Sequence, residues 1–219
     1  MQLLPDRRDS LTTVTTAHAP NQQSPAAEGP AEFRQRLLAG MAAAIRECGF
    51  RESTVADIVR HARTSRRTFY EHFTSKQACF IELLRQANAA LASQIAAAVD
   101  PHAPWDTQVR QAIEAWVAAS QADLPITLSW IRELPSHGVD ARHLQRDMVE
   151  SFVALIQNLA STPELRAAGV TPPSRQLAIM LVGGLRELLA TTVEDGDDIA
   201  GITEIAVRST QALLGPRDS

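Results

Sequence analysis

The chain has 219 residues, 45% of them apolar and 21% charged, with a net charge of −4. That length suits one large domain or two small ones, and with no unbroken apolar run of about 18 residues a membrane-spanning helix is not expected. Arg7 and Arg8 are followed by no apolar stretch, which argues against a secretory leader. The two cysteines, Cys48 and Cys79, fall in apolar helical patterns and read as buried, reduced thiols of a cytoplasmic protein.

Residues 1–30 are rich in Thr, Ala, Pro, Ser and Gln and lack periodicity, so they read as a disordered arm. An arm using Arg7 and Arg8 in a DNA minor groove would need denser positive charge. From residue 31 apolar residues recur at helical spacing. Phe33, Leu37, Met41, Ala44, Ile45 and Cys48 share one face up to Gly49. Thr54 with Asp57 three positions on forms a capping-box pattern, which starts a second helix running through Ala62. A short third helix is expected over 66–73. Thr74 to Gln77 is a further cap, opening a long helix whose face is Phe80, Leu84, Ala87, Leu91, Ile95 and Val99.

Asp100 to Pro104 ends that helix. Others are predicted over 105–121, 125–134, 140–160, 174–193 and 199–214, with Pro163, Pro172, Pro173 and the acidic stretch Glu194 to Asp198 as breaks. Alternation of period two is absent from the pattern. The expected fold is all-α, with about nine helices.

Charge divides unevenly along the chain. Residues 31–76 hold nine Arg/Lys against five Asp/Glu, whereas 77–219 hold ten Arg against seventeen Asp/Glu. A basic head on an acidic body suits phosphate contact at one end only. Of the twenty-one basic residues all but Lys76 are Arg, a bias expected of a GC-rich, bacterial coding sequence.

Three helix starts, near Thr54, Ser65 and Ser75, crowd into this basic part, and each presents free N–H groups to an anion. Lys76 in a first turn opposes the helix dipole, a conflict that a phosphate would remove. Tyr70, the single tyrosine, can pack its ring and leave its hydroxyl outward. Arg66, Arg67 and Thr68 open the third helix, where base-edge contacts arise when such a helix enters the major groove. Val55, Ile58, Val59, Ala62, Phe69 and Phe73 are expected core.

Residues 33–80 resemble the N-terminal domain of the TetR/AcrR family of transcriptional regulators. The resemblance rests on Gly49-Phe50, Thr54 to Ile58, Ala62, Ser65, Thr68-Phe69-Tyr70, His72-Phe73 and Ser75-Lys76. It implies three domains or segments: the arm, 1–30; a three-helix DNA-binding domain with a helix-turn-helix, 31–76; and a helical ligand-binding and dimerisation domain, 77–219. It implies backbone contacts by Thr54, Thr68, Tyr70, His72 and Lys76, with Ser65 at the same surface, and base reading by Arg66 and Arg67. Where the family usually has Gly in the turn this chain has Arg63. A non-glycine residue in a left-handed turn costs about 1–2 kcal/mol, so either the turn is reshaped or Arg63 gains a phosphate contact.

A regulator on a partly palindromic operator needs two heads about 34–36 Å apart, hence a dimer. Leu177, Leu181, Gly184, Leu188 and Thr192, with Ile202, Ile205, Ala206, Ser209 and Leu213, are the expected homodimer interface. The middle helices are expected to hold a bulky, mostly apolar inducer. Trp116, Leu128, Trp130, Ile131, Leu134, Phe152, Ile156 and Met180 are candidate lining, and Glu133, His137 and Arg186 candidate polar anchors. His137, Asp140, His143 and Asp147 lack a tight metal-ligand spacing. No cofactor, metal or enzyme motif is expected. The expected function is a ligand-responsive repressor of transcription, against the alternative of a helical protein–protein adaptor.

Overall fold

The computed structural model describes residues 29–134 and 138–215, and within them every regular element is helical. The proposed arm up to residue 28 and the expected anchor His137 lie outside the described residues. In chain order the elements are α1 (Pro30–Glu52), α2 (Val55–His61), α3 (Arg66–His72), α4 (Lys76–Ala98), α5 (Trp105–Ala122) and α6 (Leu124–Leu128). A π-turn follows over Ser129–Glu133, then α7 (Gly138–Leu159), α8 (Pro163–Ala167), α9 (Arg175–Glu194), a 3₁₀ turn over Ile199–Ile202 and α10 (Thr203–Leu214). The sequence pattern missed α8, a single five-residue turn after Pro163, and read α6 and the π-turn as one helix.

Caps fix the first elements. Thr54 accepts from the Asp57 N–H while Asp57 reaches back to the Thr54 N–H, the reciprocal pair the sequence suggested. Ser65 and Ser75 accept from Thr68 and Ala78 in the same way. α1 breaks at Gly49, whose φ of 77° is accessible to glycine at little cost. The short stretch after it turns Phe50 inward, stacked on Phe80 at 4.0 Å.

That stretch ends on Lys76, where a different role appears from the phosphate contact expected of it. Its Nζ donates to the carbonyls of Phe50 (2.8 Å), Ser53 (2.7 Å) and Arg51 (3.3 Å) and lies 4.3 Å from the Phe50 ring. A cation at the end of α1 meets carbonyls that have no helical partner. Those carbonyls answer the unfavourable dipole of α4. Partial burial pushes the ammonium pKa down.

One apolar core joins Leu37, Met41 and Ile45 of α1 to Ile58 of α2, Phe69 of α3 and Phe80 and Leu84 of α4. It continues without a break into Ile126, Leu134, Leu144 and Met148. A second core joins Ile113 and Val117 of α5 to Leu189 and Ala190 of α9 and to Ile202, Ala206 and Val207. Trp130, in the π-turn, packs against both. Val55, expected as core, is half-buried at its rim.

The two thiols differ. Cys79 is fully buried and burial pushes its pKa up to about 12, whereas Cys48 is exposed, against expectation, because it sits on the last turn of α1 before the break. One thiol should therefore react with a disulfide reagent at pH 8 in the folded protein and two in denaturant. Two reacting in the folded state would contradict the packing. Gly40 marks a close crossing of α1 over α2, since a Cβ there would lie 2.5 Å from the Ile58 carbonyl oxygen. Gly40→Ala should cost about 1–3 kcal/mol in urea unfolding despite its better helix propensity.

Candidate nucleic-acid interface and ligand cavity

α3 is seven residues long and presents two different faces. Phe69 points inward with none of its surface exposed, and Phe73 follows it into the core. Arg67 stands on the opposite face and Arg66 and Tyr70 flank the buried one, all three exposed, with Tyr70 59% accessible. The Tyr70 ring leans edge-on against Phe69 at 5.3 Å, which orients the phenol without burying it. Arg67 Nε donates to Glu71 at 3.1 Å, yet its side chain is 89% exposed. Such a surface pair is worth little and is easily exchanged for another anion.

The hydroxyls of this region are already engaged. Thr54 Oγ1 donates to Asp57 at 2.6 Å, and these bonds hold the Asp57 carboxyl below its usual pKa. Thr68 Oγ1 shares a hydrogen with Ser65 Oγ at 2.9 Å. The His72 ring lies parallel to Phe33, with centroids 6.4 Å apart.

Arg63 is the one non-glycine residue with positive φ among the described residues, at 50°. The turn has kept its left-handed form. Arg36 of α1 supports it by donating to the Ala62 carbonyl at 2.7 and 3.1 Å and to the Arg63 carbonyl at 2.7 Å. Charge-assisted bonds of this kind are strong enough to offset the local strain. The Arg63 side chain is left exposed.

Behind this head lie two adjoining cavities. The first, about 140 Å³, is lined by α4, α5, the π-turn, α7, α8, α9 and α10. The second, about 230 Å³, lies among α1, α4, α5, α6, the π-turn, α7 and α9. They share Leu91, Trp116, Trp130 and Arg186. Of the residues expected to line a pocket, Trp116, Trp130, Phe152, Ile156 and Arg186 line the first cavity and Ile131 lines the second.

Others fall elsewhere. Met180 is 66% exposed on the outer side of α9, because it falls two residues after Ala178 and one before Leu181, which face inward. Leu134 is fully buried in the core beneath the head. Glu133 ends the π-turn and lines neither cavity, and Leu128 packs in the second core. The sequence pattern missed Leu91, Ile95, Gln108, Leu185 and Thr210, which line the first cavity. Their helical spacing shows only an inward face, which does not separate cavity wall from filled core.

The expected dimer surface also divides. Leu181, Ile202 and Ala206 are buried within their own chain, so they belong to its interior. Leu177 and Leu188 are half-buried, Gly184 is exposed and Leu213 is 39% exposed. Met180 and Ile205, the latter 52% exposed, join them on the outer face of α9 and α10. By length and composition α9 is also apolar enough to cross a membrane. It nevertheless packs its inner side on α7, α10 and the π-turn.

Residues 37–83 match the family model described as bacterial regulatory proteins, tetR family. No curated protein matches the chain. Among solved structures it is similar to the fatty acid degradation regulator FadR of Bacillus halodurans. That match has a TM-score of 0.70 and 16% identity, over 86% of this chain and 97% of that one. FadR of Bacillus subtilis, solved in complex with stearoyl-CoA, aligns with a TM-score of 0.69 and 14% identity, over 84% and 99%. A tetR-family regulator of Streptomyces coelicolor aligns with a TM-score of 0.69 and 18% identity, over 85% and 82%. The helix-turn-helix segment thus matches the tetR family model over residues 37–83, and the helical chain shares the fold of these solved regulators.

Proposed function

We propose that the chain is a homodimeric repressor that binds a partly palindromic operator and leaves it when a small, mostly apolar inducer enters the body. The observation that carries this reading is α3, a helix fixed by Phe69 that leaves Arg66, Arg67 and Tyr70 exposed. It lies in the one basic part of an acidic chain. The DNA-binding part is assigned to 31–76 and the ligand-binding and dimerisation part to 77–219, and the protein acts in the cytoplasm, where its operator is.

Arg66 and Arg67 read base edges, while Tyr70, Arg63 and the N-terminal amides of α2, α3 and α4 hold phosphates, with Thr54, Ser65, Thr68 and His72 placing them. Lys76 contributes by fixing the end of α1 against the start of α4. The partner for the outer face of α9 and α10 is a second copy, since Met180, Ile205 and Leu213 are large apolar groups left in water by a single chain.

Signal passage follows the core. Trp130 lines both cavities and packs against both cores. Its neighbours Ile126 and Leu134 belong to the core beneath α1. A ligand that displaces Trp130 therefore moves the support of the head. It weakens DNA binding by the difference in its affinity for the two states and by no more.

Arg67→Ala should relax base preference at one operator position, and Tyr70→Phe should weaken binding to all sequences alike, both read by competition binding on randomised duplexes. Absence of salt-sensitive binding to every genomic fragment offered would end the repressor reading. Sedimentation should show a dimer that Met180→Glu dissociates, and a wild-type monomer would remove the palindrome.

A further inference from the structure

Resting on the ligand-responsive reading above, the chemistry of the cavity goes a step further. The first cavity is walled by aliphatic and aromatic side chains, and Arg186 is the one charged residue among them. The second adds Arg46 and Asp123, which satisfy each other through three hydrogen bonds of 2.5 to 3.2 Å. Arg186 has no such partner. Its Nε is buried and without an acceptor. Its guanidinium lies 5.4 Å from the Trp130 ring, a contact that attracts the cation without accepting a hydrogen bond.

The adjacent acid, Glu187, is held by Arg132 at 2.9 and 3.0 Å. Burial pushes the Arg186 pKa down, but a guanidinium remains charged under any ordinary condition. It is a retained cation in an apolar chamber, a costly arrangement unless an anion arrives. Thr210 Oγ1, on the α10 side of the same cavity, is likewise buried without a partner.

We infer that this cavity binds an amphipathic monoanion, an organic acid whose carboxylate pairs with Arg186 and whose apolar body fills the space along α5, α7 and α9. One unpaired cation matches one negative charge. Among the lining residues there is no basic cluster to receive the several phosphate charges of a coenzyme A thioester. The carboxylate forms two parallel hydrogen bonds with the guanidinium fork. The body is limited by the volume: about 140 Å³ is close to a cavity that holds one benzene ring, and the adjoining space extends it past Trp116 and Trp130. Phenylacetate, hexanoate and decanoate span that range.

Calorimetric titration of the full chain tests this with those three acids, decanol and decanoyl-coenzyme A. At least one acid should bind, and decanoate should bind at least about tenfold more tightly than decanol. Decanoyl-coenzyme A should bind more weakly than decanoate. Arg186→Met should abolish the preference for the acid while keeping decanol binding, and Arg186→Lys should restore part of it. A melting temperature of Arg186→Met at or above that of the wild type shows that the variant is folded.

Equal affinity of the wild type for decanoate and decanol, an acid preference that survives in Arg186→Met, tighter binding of the thioester, or no binding by any of the acids would each overturn the inference. Operator binding by ligand-free wild type is measured beside it. If DNA binds and no acid does, this inference alone fails. If an acid binds through Arg186 and no DNA does, the repressor reading fails and the site stands.

Discussion

Helices of seven residues do not hold themselves in water, and both α2 and α3 are of that length. Everything the head does depends on burying Ile58, Phe69 and Phe73 against longer neighbours. α1 supplies one wall and α4 the other, with Lys76 tying the end of the first to the start of the second. The same core extends to Ile126, Leu134 and Met148, so the packing has no seam at residue 76. A surface supported in this way has its orientation set from behind. A shift in α4 or the π-turn is felt at α3 because interiors packed to crystal density transmit displacement rather than absorb it.

Much of this was legible in the sequence because caps and helical period are local. Thr54 with Asp57, Ser65 and Ser75 each mark a helix start within one residue, and the strain at Arg63 follows from chirality alone. What could not be read depends on where a helix face points. The stripes on α9 and α10 contained Leu181 and Ala206, which face their own interior, beside Gly184 and Leu213, which face outward. Helical spacing gives the stripe but does not say whether the same chain or another covers it. Gly40 looked like an unremarkable helix glycine until the Ile58 carbonyl appeared beside it. Lys76 had a sound electrostatic reason to seek a phosphate, and three backbone carbonyls met the same need.

Several arginines are spent in pairs that join elements distant in sequence. Arg46 reaches Asp123, Arg110 reaches Glu204, and Arg175 reaches Glu150. Arg132, on the π-turn, holds both Glu187 and Glu194 of α9. Exposed pairs of this kind add little stability individually, but they set register between elements. Arg132 links the π-turn to the very helix that carries Arg186 and the exposed apolar face.

The π-turn therefore stands between three structures. Through its flanks, Ile126 and Leu134, it supports the core under α1. Through Arg132 it is fastened to α9. Through Trp130 it forms the wall shared by the two cavities, with the Arg186 guanidinium beside it. A π-turn is a locally unfavourable way to run a helix and is found mostly where function requires it. Here it sets Trp130 against both cores. An anion drawn to Arg186 would compete with the Trp130 ring for the guanidinium, and the ring is packed against the core that supports α1 to α3. Ligand charge, cavity wall and head orientation thus meet at one pair of side chains.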